Sequence, residues 1–368
     1  QIMRGAPALR PQSWGAGHVD TPVNNPDVHV LPSANPQTEV SIALNPANPL
    51  NLLVTSNTTP TNTGQGYYYS FDGGATWNGS DAYPNGASNF GDPVAVFDGA
   101  GLAYDVTLGA SGGILISTSS DGGVNWGTAL NIDPLASGND DKEHAMAAAA
   151  PGPLQNTFIC AWTDFGPTRV VATTTADGFA VRHTLDAALG ADLGQGVNIQ
   201  FGPNNEAYAC WTIYAGGNLP GAGIGFAKSL DGGLTWTAAT NVFPFQGIRT
   251  TNGPNPLFNN IRVSDFPWMA VDRSNGPHRG RIYVAYTDRA TGDSDIYTRY
   301  SDNQGSTWSS AVRVNQDTVG NGLQQWFPCV TADPVTGDVS VSFYSQESGF
   351  STRCYVGHSV DGGDSYDV

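Results

Sequence analysis

An eight-residue phrase, Ser70-Phe71-Asp72-Gly73-Gly74-Ala75-Thr76-Trp77, comes back along the chain and narrows what the chain can become. Near-copies stand at residues 119–126 and 229–236, looser ones at 301–308 and 359–366, and an eroded one at 175–179. The aspartate position is filled by Asp72, Asp121, Asp177, Asp231, Asn303 and Asp361. These lie about 50–70 residues apart, a period that signals stacked units sharing one core. The longest interval carries an Asn- and Pro-rich insertion at residues 245–260.

Strand-like runs precede each box. Glu39-Val40-Ser41-Ile42-Ala43-Leu44 alternates as a half-buried strand does, and Asn51-Leu52-Leu53-Val54-Thr55 and Gly66-Tyr67-Tyr68-Tyr69-Ser70 follow it into the first box. The same grammar recurs five times, as in Ile282-Tyr283-Val284-Ala285-Tyr286 before Asn303. Three strands, a box and a fourth strand make one propeller blade, so the expected fold is an all-β, six-bladed β-propeller over residues 37–368. The sixth unit ends at its box, and Asp27-Val28-His29-Val30 resembles the strand it lacks. Residues 1–36 are therefore expected to supply a strand that closes the ring and removes two sheet edges.

The box residues suit a tight hairpin. Glycine supplies positive φ at little cost, aspartate accepts hydrogen bonds from the turn's N–H groups, and tryptophan covers the space between sheets. A catalytic centre needs one asymmetric constellation, so six copies round a ring read as structure.

The pattern Ser-x-Asp-x-Gly-x-Thr-Trp resembles the Asp box, or bacterial neuraminidase repeat, of the sialidase superfamily. The resemblance implies six blades with the boxes on the face away from the active site. It also implies an active site of three arginines, a Tyr/Glu pair and an Asp acid/base. Where that family opens its first strand with an Arg-Ile-Pro-like triplet, this chain has Thr38-Glu39-Val40.

Composition sets the partner class. The net charge is −17 and the only lysines are Lys142 and Lys228, which excludes the clustered cations that nucleic acid requires. No run is long enough to span a bilayer as a helix, and an acidic chain of this kind is expected to be secreted or displayed at the cell surface. Cys160, Cys210, Cys329 and Cys354 have no metal spacing. They read as buried free thiols, with a Cys329–Cys354 link as the alternative.

Chemistry is expected at the rim opposite the boxes, where loops enter the first strands and join the second to the third. Glu39, Asp92 and Glu143, with Tyr344 from the last blade, are the candidate catalytic groups, since paired carboxyls cleave glycosidic bonds. Arg169, Arg353, Trp326, His144 and Asp265 are candidates for substrate binding; an arginine can grip a carboxylate through two parallel hydrogen bonds. No cofactor is required; the one candidate metal is Ca2+, for which Asp288, Asp293 and Asp295 offer hard oxygens within one loop. The expected function is an extracellular propeller that acts on or binds glycans, as a glycoside hydrolase with rim carboxylates. The alternative is a non-catalytic glycan- or protein-binding propeller, or a self-associating structural component.

Overall fold

The computed structural model describes residues 28–368, apart from 32, 34, 59–63, 84–86, 136–137, 167–168 and 350. Six antiparallel sheets are arranged as the blades of a propeller, each laid down in chain order from its first strand outward. The first strands are Thr38–Leu44, Asn89–Phe97, Asp140–Ala147, Leu193–Phe201, Trp268–Val271 and Gln325–Ala332. Sheets one to five have four strands, and sheet six has three. Second strands such as Phe158–Asp164 are buried along their whole length because a sheet lies on either side of them.

Apolar clusters stitch each sheet to the next. Leu53 and Ala43 meet Ala95 and Phe97 between sheets one and two, and Val94 and Val96 meet Ala145, Ala147 and Phe158 between two and three. Ile159 and Ala161 meet Val197, Ile199 and Phe201. Phe226 and Phe243 meet Met269 and Val284, and Tyr283 and Ala285 meet Val330 and Val341. Each fully buried aliphatic side chain contributes about 1.5–3 kcal/mol, so these contacts hold the blades side by side. Among the described residues, no such cluster joins sheet six to sheet one.

The box forms a hydrogen-bonded clasp. Ser70 Oγ accepts from Gly74 N at 2.9 Å and donates to Asp72 Oδ1 at 2.8 Å. Asp72 in turn accepts from Thr76 N at 2.8 Å and Thr76 Oγ1 at 2.6 Å, and Trp77 Nε1 donates to Gly74 O at 2.9 Å. The copies at Asp121, Asp231, Asn303 and Asp361 repeat the serine and aspartate or asparagine bonds. At Asp177 the clasp is replaced by a short 3₁₀ turn capped by Thr174.

Two expectations need correction. Of the strand expected at 27–30, Asp27 lies outside the described residues, and Val28, His29 and Val30 have no strand pairing. The outer edge of sheet six is instead bridged by Asp367, which exchanges both backbone hydrogen bonds with His358 at 2.7 and 2.9 Å. The segment after Val30 runs along sheet one, where Ser33 bonds to Asp81 and Gln37 Nε2 donates to Tyr68 Oη at 3.1 Å. The four cysteines are free, as expected, but only Cys160 and Cys210 are buried. Cys329 and Cys354 flank the middle strand of sheet six, so about 9–10 Å of sheet separates them, too far for a disulfide.

Candidate functional site

The funnel mouth is built by an irregularity that recurs in the first strands. Between Thr38 and Ser41, Gly91 and Val94, Asp141 and His144, Gln195 and Asn198, and Trp326 and Cys329, the register slips. At each slip one residue turns left-handed: Glu39 (φ 52°), Asp92 (φ 57°), Lys142 (φ 53°), Gly196 (φ 70°) and Phe327 (φ 53°). Such bulges re-aim side chains, and a non-glycine residue held there costs about 1–3 kcal/mol, strain that tends to collect at functional sites. Only glycine fits at 196, because a Cβ there would meet the Phe266 ring at 2.1 Å.

Three of these residues, from three different sheets, converge. Lys142 Nζ lies 2.8 Å from both Glu39 Oε2 and Asp92 Oδ2. Burial, and a hydrogen bond with Asp92, push the Glu39 carboxyl up to about 7 against the pull of Lys142. Burial also pushes at Asp92, but the Glu39 hydrogen bond and the Lys142 charge outweigh it and hold Asp92 below its ordinary value. Near neutrality Asp92 is therefore ionised while Glu39 is poised between its two protonation states. Glu143 lies buried beside them with neither oxygen bonded, and burial raises its carboxyl well above the ordinary range.

A chain of polar contacts leads from this triad to an open depression. Asp141 Oδ2 accepts from Gln195 Nε2 at 3.1 Å, and Gln195 Oε1 accepts from Arg249 Nη1 at 2.6 Å. Arg249 also donates to Tyr214 Oη at 3.3 Å and Asn252 Oδ1 at 2.9 Å, and sits 5.7 Å from the Tyr214 ring centre. The depression, about 310 Å³, is lined by Phe165, Leu193, Gln195, Tyr214, Arg249 and Asn252.

The structure thus brings Glu39, Asp92 and Glu143 together and disperses the other candidates. Tyr344 stacks on Trp326 and edges Phe327 on sheet six. Trp326 is buried under Phe258 of the insertion. His144 Nδ1 accepts from Ile199 N at 3.2 Å, and burial lowers its imidazole to about 4, leaving it neutral. Arg169 stands opposite Asp164 at a strand end, and Arg353 is exposed on the outer strand of sheet six. Asp265 accepts from Gly221 N, Ile248 N and Arg249 N, so it pins the insertion and aims Arg249.

The calcium trio does not converge. Asp288 accepts from Gln246 N and Ala290 N, Asp293 from Gly320 N and Gly322 N, and Asp295 pairs with Arg313 at 2.6 Å. Among the described residues no group of three or more His, Cys, Asp or Glu could hold a metal ion. The sequence reading assigned no role to Lys142, Gln195 or Arg249. The one signal for Arg249 was the insertion that carries it.

No protein-family model and no curated protein matches the chain. Solved structures do. An intramolecular trans-sialidase from Ruminococcus gnavus is similar over 91% of this chain and 98% of its own, at 8% identity and a TM-score of 0.58. A leech intramolecular trans-sialidase matches 90% and 70% at 10% identity and 0.56, and an α-L-arabinofuranosidase from Fusarium graminearum 89% and 94% at 16% and 0.52. At such identities the likeness shows the fold, and function must be argued from the site.

Proposed function

We propose that this protein is an exported propeller that binds carbohydrate at the funnel mouth, with the Arg249 depression as the sugar seat. The observation that carries the reading is the pairing of an exposed aromatic ring, Phe165, with a guanidinium already fixed by Gln195, Tyr214 and Asn252. Sugars offer an apolar ring face and a rim of hydroxyls; an aromatic platform beside a few convergent polar groups suits both. A preformed arginine loses little side-chain freedom on binding. The glycan chemistry in the names of the structural neighbours supports the same class of ligand.

A glycan array followed by calorimetry tests this. Phe165→Ala and Arg249→Ala are each expected to weaken binding by about 1–2 kcal/mol, roughly 5–30-fold. An array with no bound glycan, or variants that bind as the parent does, would sink the proposal.

Hydrolysis is the second reading, favoured by the different proton affinities of Glu39, raised to about 7, and Asp92, held below its ordinary value, at one site around Lys142. In that reading Glu39 donates a proton to the leaving oxygen and Asp92 supports the developing positive charge. Turnover of fluorogenic glycosides by the parent that survives in both Glu39→Gln and Asp92→Asn would remove these residues from the chemistry.

A further inference from the structure

The interface between sheets one and two carries an acid where the other sheets are apolar. Three residues past the left-handed position, the cross-strand pairs Ile42–Val54, Ala145–Cys160, Ile199–Ala209 and Val330–Val341 hold no polar side chain. The matching pair in sheet two is Ala95–Asp105. Asp105 and its partner on sheet one, Gln65, are both 0% exposed. Gln65 Nε2 donates to Asp105 Oδ1 at 2.5 Å. The other two atoms of the pair, Gln65 Oε1 and Asp105 Oδ2, are buried without a partner.

Both orphans are acceptors as long as Asp105 is ionised, and a buried unpaired acceptor is costly. A protonated carboxyl carries one O–H donor. A proton on Oδ2 therefore turns two orphans into one bond to Gln65 Oε1 and closes a ring of two parallel hydrogen bonds. Burial works in the same direction and pushes the Asp105 carboxyl well above its ordinary range; the Gln65 bond pulls back, and among the described residues no cation faces it. The titratable groups on the elements packed against it are Tyr67 and Tyr83, whose phenols are raised by burial and by the Asp105 charge and so stay neutral.

Two neighbours carry this joint to the funnel mouth. Asn57, opposite Gln65 in register, accepts from Asp92 N at 2.9 Å through Oδ1. Thr107, two residues past Asp105 on the same face, donates from Oγ1 to Gly91 O at 2.8 Å. The left-handed residues Gly91 (φ 83°) and Asp92 (φ 57°) are thus held from both sides by the buried polar layer that contains Asp105 and Gln65.

We propose that Asp105 is a neutral acid locked to Gln65 and acts as a positioning residue for Asp92, fixing the spacing of sheets one and two so that Asp92 meets Glu39 and Lys142. The inference concerns the geometry of the mouth and holds whichever reading of its function does.

Infrared spectroscopy at pH 8, where exposed carboxyls are ionised, tests the proton. The parent-minus-Asp105→Asn difference is expected to show the carbonyl band of a protonated carboxyl, because asparagine keeps both bonds of the ring without needing a proton. Carbon-13 NMR titration of Glu39 tests the positioning. Glu39 is expected near 7 in the parent and in Asp105→Asn. In Asp105→Leu, which leaves Gln65 without its acid and frees Asp92 to move off, it should fall toward the ordinary glutamate value of about 4.3. Gln65→Met, which keeps the acid and removes its partner, gives the same reading should Asp105→Leu fail to fold by circular dichroism. A difference spectrum with only carboxylate bands would overturn the lock, and Glu39 still near 7 in either folded variant would overturn the positioning.

Discussion

The boxed aspartates and Glu39 are the same kind of acid in opposite surroundings. Asp72 accepts bonds from the Thr76 hydroxyl, Thr76 N and Ser70, which hold it at about 2, so it stays ionised and cannot donate a proton near neutrality. Glu39, pushed up by burial and by Asp92, sits at about 7, where proton transfer in either direction is accessible. The clasp also sets local stability. Ser229 is buried and its Oγ accepts from Gly233 N at 2.8 Å, so Ser229→Ala strands an amide against the preceding sheet. The expected cost is about 1–3 kcal/mol in urea unfolding; Asp231 loses its bonds to Ser229 but keeps those from Thr235 N and Thr235 Oγ1.

At the level of elements, the bulged first strands turn a repeat into a site. Each contributes the same backbone position, and only the residue placed there differs: acid, acid, lysine, glycine and, in the last sheet, phenylalanine. Lys142 links three blades by contacting Glu39 of sheet one and Asp92 of sheet two from sheet three. Removing it leaves two carboxyls facing each other. Lys142→Met is expected to destabilise by about 1–3 kcal/mol at pH 8, where both are ionised. At pH 5 the loss should shrink because Glu39 is protonated, and urea melts at the two pH values check this. The carboxyl pair was legible in the sequence because Glu39 and Asp92 open successive first strands. Their meeting was not, since it depends on a left-handed residue at each slip, which no local pattern reports. Arg249 was hidden for a related reason: it reaches the rim because buried Asp265, just beyond the insertion, binds the backbone of Ile248 and Arg249, bonds that no local pattern reports.

Over the whole molecule, several groups make stability depend on pH. Glu39 and Glu143 bind protons in the folded protein at pH values where the unfolded chain has released them. Their contribution is present at and below the unfolded carboxylate value and is lost as pH rises through the folded one. His144, lowered to about 4, acts in the opposite sense: its contribution is present above the unfolded value and is lost as pH falls from about 6.5 toward 4. Above pH 6.5 only the carboxyl effect remains of these, so the melting temperature is expected to fall from pH 6.5 to 8.5. Glu143→Gln, which needs no proton to stay neutral, should flatten that slope and stabilise the protein by about 1–3 kcal/mol at pH 8. A melting temperature that stays level in the parent, measured by calorimetry, would show that Glu143 is solvated.

The box motif and the alternating runs before it determined the blade count and the all-β class, because hairpin turns and strand alternation are local and each copy reports them independently. They also pointed the search away from the boxes. Tertiary structure decided which carboxyls meet, what neutralises them, where the insertion places Arg249, and that the edge of sheet six is met by Asp367 rather than by residues 28–30. Those outcomes depend on contacts between sheets far apart in sequence, where charge, burial and backbone strain are settled together.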